Sequence, residues 1–178
     1  EGCLAKAQTG RKRKNPITSR CLRKFFLTSA KAQQNKAGDM DKRDVVILGA
    51  GAAGLFAGIE AARRGRSVLV IDHAAKAAGK IRISGGGRCN FTNLGIAPDR
   101  YLSDNPRFAR SALSRYTQHD FIARMQGWGI AYHEKTLGQL FCDGKADQVI
   151  DALLRDLGAA GGELACGVSI SDVSYNGR

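Results

Sequence analysis

Residues 44–72 begin Asp-Val-Val-Ile-Leu-Gly-Ala-Gly-Ala-Ala-Gly, continue through an apolar helical stretch and close on Ser-Val-Leu-Val-Ile-Asp. An apolar strand, a glycine turn, a helix and a second apolar strand ending on a carboxylate leave a chain few ways to fold. Strands this uniformly apolar predict parallel neighbours covered on both faces. The expected elements are strands at 44–48 and 67–72, joined through a helix at 52–64 that Gly65 ends beside Arg63, Arg64 and Arg66. Gly49 permits the tight turn, Gly51 lets backbone approach a pyrophosphate, and Gly54 and Gly58 let the helix lie close to the strand. Amides left free at the helix start, with the helix dipole behind them, favour an anion. Asp72, 23 residues after Gly49, is placed to accept from a ribose hydroxyl. The pattern predicts dinucleotide binding.

The net charge of +12 would fit a nucleic-acid binder, but its distribution argues otherwise. Residues 1–38 carry 10 Lys/Arg against the single acid Glu1, whereas the rest of the chain carries 18 against 15. The basicity belongs to a leader, residues 1–39, that lacks interleaved aromatic stacking residues. A solvated, disordered tail is the expectation there. The alternatives are an organellar presequence around Leu22, Phe25, Phe26 and Leu27, an import or nucleic-acid patch at residues 11–14, and upstream sequence read in frame ahead of Met40.

The five cysteines are odd in number and widely spaced, so neither a disulfide framework nor a zinc site is expected. Reduced thiols and a cytoplasmic location follow. The longest uncharged run, residues 45–59, is too short to span a bilayer.

Downstream, residues 74–100 read as glycine-rich and irregular. Asn105-Pro106 predicts a helix start with Phe108, Ala112 and Tyr116 on one face, and Thr117 with Asp120 a capping box ahead of Phe121, Ile122 and Met125. Residues 130–133 predict a strand. Residues 146–157 predict an amphipathic helix stopped by Gly158, and residues 164–173 a strand with Val168, Ile170 and Val173 alternating.

The most specific stretch is Gly79-Lys-Ile-Arg-Ile-Ser-Gly-Gly-Gly-Arg-Cys-Asn-Phe-Thr-Asn93. Its glycine amides and guanidinium suit a pyrophosphate or the edge of a flavin. With residues 44–72, 94–100 and Gly138-Gln-Leu-Phe-Cys-Asp-Gly144, it resembles the BaiN-like (YhiN or aminoacetone-oxidase-type) flavoproteins over residues 40–178. The resemblance implies an α/β, Rossmann-like FAD/NAD(P)-binding domain of the glutathione-reductase type. It also implies that this domain is incomplete here, since family members are far longer. FAD is the implied cofactor, with Gly51, Ala52 and Ala53 at its pyrophosphate and Asp72 at its ribose. Lys80 and Ser84, Gly85, Gly86, Gly87, Arg88, Cys89 and Asn90 would line the flavin side, and Val168 would offer backbone groups to the adenine.

His73 could border the adenine. Cys89, with no cysteine near it in sequence, reads first as a small buried thiol, and His133-Glu134 first as structural rather than as a base pair. The expected function is an FAD-dependent oxidoreductase acting on a small molecule, with NAD(P)H as a candidate co-substrate and no membrane association. An NAD-binding dehydrogenase and a basic nucleic-acid-binding protein are the alternatives.

Overall fold

The computed structural model describes residues 42–174. In chain order the elements are β1 (Val45–Leu48), α1 (Ala52–Arg63), β2 (Val68–Asp72), α2 (Gly79–Ile83), a tight turn at Ser84–Gly87, and β3 (Asn90–Asn93). These are followed by α3 (Arg110–Arg115), α4 (Gln118–Gly127), β4 (Tyr132–Glu134), β5 (Gln139–Cys142), α5 (Asp147–Ala159) and β6 (Glu163–Cys166). The basic leader lies outside the described residues.

Two small sheets result. The first is parallel, in the order β1-β2-β6. Val45 pairs with Val68 and Leu48 with Ile71, as the sequence predicts, and β6 extends the sheet through Leu69 opposite Glu163. Alternation along the strands sends Val68 and Val70 into the core, where Leu55 and Ile59 of α1 and Val149, Leu153 and Leu157 of α5 meet them. Gly58 makes that close approach possible: a Cβ there would stand 2.9 Å from Val70 and 3.1 Å from Leu157. Arg63 of α1 pairs with Asp156 of α5 at 3.1 Å, and the Trp128 indole donates to the same carboxylate at 3.3 Å. The helices occupy one face only. Val46 and Leu48, on the other face, are 51% and 56% exposed, so cover on both faces is not found among the described residues.

The second sheet is antiparallel, in the order β3-β5-β4, with an irregularity between Asn90 and Thr92. β4 falls on the strand expected at 130–133, β3 lies in the stretch that reads as irregular, and β5 has no strand signal of its own. Its strands have three or four residues, too few for alternation to register. Edge-to-face rings join it to the rest: Phe91 packs on Phe121 and Tyr132, and Phe121 on Phe56 of α1, with centroids 5.4–5.6 Å apart. The Arg124 guanidinium lies 4.8 Å above the Phe56 ring.

Three local expectations are corrected. The helix expected from Pro106 forms only at Arg110: Asn105 accepts from the Arg107 amide at 3.1 Å, as a cap would, but residues 106–109 remain a turn; Phe108 and Ala112 are exposed, and Tyr116, 40% exposed, packs edge-on against Phe56. α5 passes Gly158 and ends at Ala159, and Gly161 at φ +84° takes the left-handed position. The last strand ends at Cys166, where Gly167 at φ +74° turns the chain out of the sheet, so Val168, Ile170 and Val173 are not strand residues. The capping box of Thr117 and Asp120 is present as expected.

Leu153 is 1% exposed and Leu102 97%. Leu153→Ala should cost about 2–5 kcal/mol of unfolding free energy and Leu102→Ala less than about 0.5 kcal/mol. Urea unfolding of both variants checks this, and comparable losses would contradict the assigned core.

Two carboxylates fasten the chain, Asp44 between the starts of β1 and β2 and Asp120 at the start of α4. Asp44 accepts from the Ser67 amide and hydroxyl, and Asp120 from the Thr117 amide and hydroxyl; in both cases the amide, with the hydroxyl second, holds the carboxyl below the usual range. A depressed folded value means that their stabilisation is complete above the unfolded value, about 4, and is lost as pH falls through the folded one. Asp120→Asn should therefore lower the urea midpoint at pH 7 and converge on the parent below about pH 4. An undiminished gap in acid would count against this assignment.

Candidate nucleotide-binding site

The first glycine turn sits at the carboxyl end of the parallel sheet, where crevices of open α/β sheets take their ligands. Gly49, at φ +105°, donates to the Ile71 carbonyl at 2.7 Å and carries the chain off β1. A Cβ on Gly54 would collide with the Gly49 carbonyl oxygen, so only glycine lets α1 start this close to the turn. α1 begins without a side-chain cap and without an acid in its first turn. Gly51, Ala52 and Ala53 are exposed, and their amides precede the first intrahelical bond, which Leu55 donates to the Gly51 carbonyl at 2.9 Å. Such a helix start is suited to a phosphate.

Asp72 closes this turn from the neighbouring strand. Its Oδ1 accepts from the Ala74 amide at 2.8 Å and its Oδ2 from the Ala50 amide at 2.7 Å. Those two amides hold the carboxyl below the usual carboxylate range, so it is a fixed negative charge at neutral pH. Each oxygen keeps acceptor capacity beyond its one amide, and the side chain is 14% exposed. His73, 87% exposed, places Nδ1 3.4 Å from Asp72 Oδ1. Val168, although outside any strand, stands beside them: its amide donates to the Asp72 carbonyl at 3.1 Å, and its own carbonyl is what remains for a ligand. Asp72, His73, Val168 and the 51–53 amides thus gather at one sheet end.

The second motif is tied to the first. The Ala50 carbonyl accepts from the Ala78 amide at 2.8 Å, which sets the start of α2 against the turn. Lys80 is exposed on α2. Gly85, Gly86 and Gly87 all take positive φ, at +58°, +66° and +85°, and a Cβ on Gly85 would stand 2.6 Å from the Phe141 ring. The run is a built turn rather than a slack loop. Its far side is fastened by the Ala146 amide to the Gly87 carbonyl at 2.7 Å, the Cys142 amide to the Arg88 carbonyl at 3.0 Å, and an Arg82–Asp147 ion pair.

Not every residue of that motif faces outward. The Ser84 hydroxyl donates to the Ile81 carbonyl at 2.9 Å. Asn90, with its amide oriented to donate from Nδ2, bonds the Thr92 and Leu140 carbonyls and stitches β3 to β5. Cys89 is buried. Arg88, Gly86 and Gly87 line an open cleft of about 500 Å³ together with Arg82, Lys145 and Asp147. The sequence signal for Lys145 and Asp147 was confined to the run ending at Gly144, so they were missed. His133 bonds Asp143, its Nδ1 2.7 Å from Oδ1, rather than Glu134. No cluster of three potential metal ligands occurs among the described residues, and no helix there is long and apolar enough to cross a membrane.

The ribosomal RNA dihydrouridine synthase of Escherichia coli (strain K12) is 56% identical over 117 residues, 66% of this chain and 29% of that protein. The 3-dehydro-bile acid delta(4,6)-reductase of Clostridium scindens is 36% identical over 72 residues, 39% of this chain and 18% of that protein. The chain therefore spans under a third of the length of these curated relatives. Among solved structures, the 3-ketosteroid-delta4-(5alpha)-dehydrogenase of Rhodococcus jostii RHA1 superposes with a TM-score of 0.52 at 16% identity, over 74% of this chain and 39% of that one. That likeness agrees with a Rossmann-like α/β fold. The family described as HI0933-like protein Rossmann domain matches residues 43–178, and the chain belongs to it.

Proposed function

We propose that the chain carries the FAD-binding face of an FAD-dependent oxidoreductase, with residues 40–178 as the amino-terminal part of the FAD domain and residues 1–39 dispensable for binding. The observation that carries this reading is the coupling of two glycine motifs through Ala50, whose amide bonds Asp72 and whose carbonyl accepts from Ala78. The 51–53 amides would hold the pyrophosphate, and the charge of Asp72 would receive the ribose hydroxyls and repel a 2′-phosphate. Val168 and His73 would flank the adenine, and Lys80 and the 84–90 turn would face the flavin. An NAD-dependent dehydrogenase would use the first motif equally but leave the second, built turn without a task.

Bound FAD would supply hydride transfer, with NAD(P)H as the electron source. For the whole protein we favour a uridine of ribosomal RNA as the substrate, acted on in the cytoplasm, because the 56% identical relative bears that name. A steroid-like small molecule is the second reading, supported by the BaiN-like resemblance and the 36% match. Supplied with FAD and NAD(P)H, the full-length protein should reduce uridine in ribosomal RNA transcripts and leave 3-dehydro-bile acids unchanged; the opposite pattern selects the second reading.

Binding is tested by flavin fluorescence as FAD is titrated into the chain. Saturable binding is expected. Asp72→Ala should weaken it about tenfold to a hundredfold through the lost charge-assisted bonds, with Asp72→Asn falling between. Deletion of residues 1–39 should change it by less than about tenfold. Undiminished binding by Asp72→Ala would remove Asp72 from the site.

A further inference from the structure

Behind the glycine run two thiols adjoin that the sequence keeps 53 residues apart. β3 and β5 pair with Asn90 opposite Phe141, which makes Cys89 and Cys142 neighbours one step along. The Cys142 amide bonds the Arg88 carbonyl at 3.0 Å and reaches the Cys89 carbonyl at 3.4 Å. Cross-strand neighbours have Cα atoms about 4.5–5.5 Å apart, within the range a disulfide spans. Cys89 is 5% exposed and Cys142 fully buried, and Cys89 holds φ +53°, a left-handed conformation uncommon for a side chain of this kind and often met at functional positions. The neighbouring Cys142 thiol draws the pKa of Cys89 down to about 7, while the same proximity and burial push Cys142 up. The third described cysteine, Cys166, is raised by burial. One thiol of the pair is thus readied as a nucleophile and the other held in reserve.

We propose that Cys89 and Cys142 form a dithiol that hydrogen peroxide converts to a disulfide, with Cys89 as the attacking sulfur and Cys142 as the resolving one. The Cys89 thiolate attacks a peroxide oxygen; the S–O bond forms as the O–O bond breaks, and hydroxide leaves. Cys142 then attacks the Cys89 sulfur, the S–S bond forms, and the departing hydroxide takes the Cys142 proton as water. Two thiols lose two electrons and peroxide gains them. Peroxide, scarcely larger than water, suits a sulfur with so little open surface. The inference uses no bound flavin and stands apart from the FAD reading.

The test treats the folded chain with hydrogen peroxide, removes the excess with catalase, and alkylates the remaining thiols after denaturation. Peptide mass spectrometry should then find residues 89 and 142 linked, lighter by two hydrogens and restored by dithiothreitol. In Cys142→Ala, Cys89 should stop at the sulfenic acid and be trapped by dimedone; in Cys89→Ala, Cys142 should stay a free thiol. The peptide map of the parent requires no variant to fold. Recovery of both thiols intact while Cys166 is oxidised, or a link from Cys89 to any other cysteine, overturns the proposal. Oxidation of Cys142 in Cys89→Ala overturns the assigned order of attack.

Discussion

Ala50 is fully buried and spends both of its backbone groups on other segments. Its amide goes to the Asp72 carboxylate and its carbonyl receives the Ala78 amide. Without those bonds the glycine turn would be a short loop between a strand and a helix. With them, the end of β2, the start of α1 and the start of α2 have fixed separations, and the second glycine run inherits its position from the first. Buried backbone groups left unpaired are costly, so each of these contacts is an obligation of the fold as well as a means of shaping the site.

This arrangement explains why part of the molecule was legible from sequence. The strand–turn–helix–strand unit announces itself because glycine spacing, apolar runs and the terminal acid all report one local geometry. The α5 helix and the Thr117 capping box are equally local. What escaped is set by partners distant along the chain. β3 pairs with β5 across more than forty residues, and neither strand is long enough to show alternation. The burial of Cys89 opposite Cys142 depends wholly on that pairing, so a reading confined to sequence neighbours found Cys89 alone. Val168 shows the reverse case: it stands beside Asp72 although the strand assigned to it does not exist, because Gly167 turns the chain out of the sheet and the Asp72 carbonyl still receives its amide.

The aromatic chain from Phe56 through Phe121 and Phe91 to Tyr132 gives the two sheets a common support. Edge-to-face rings resist sliding more than aliphatic contacts do, because their attraction depends on relative orientation. Arg124, stacked on Phe56 and 3.5 Å from Glu60, sets a half-buried cation within that support. The antiparallel sheet carrying the glycine turn is thereby held to the helix that starts at the nucleotide end.

The bare face of the parallel sheet bears on how the chain behaves in a test tube. β1 is an edge strand with Val46 and Leu48 turned to water and one row of its main-chain donors and acceptors open among the described residues. Open main-chain groups beside exposed apolar side chains are a template for another strand, of the same chain or a different one, and only the shortness of β1 blunts it. In concentrated solution self-association would therefore run through β1, and a charged residue at position 46 would oppose it without touching the core.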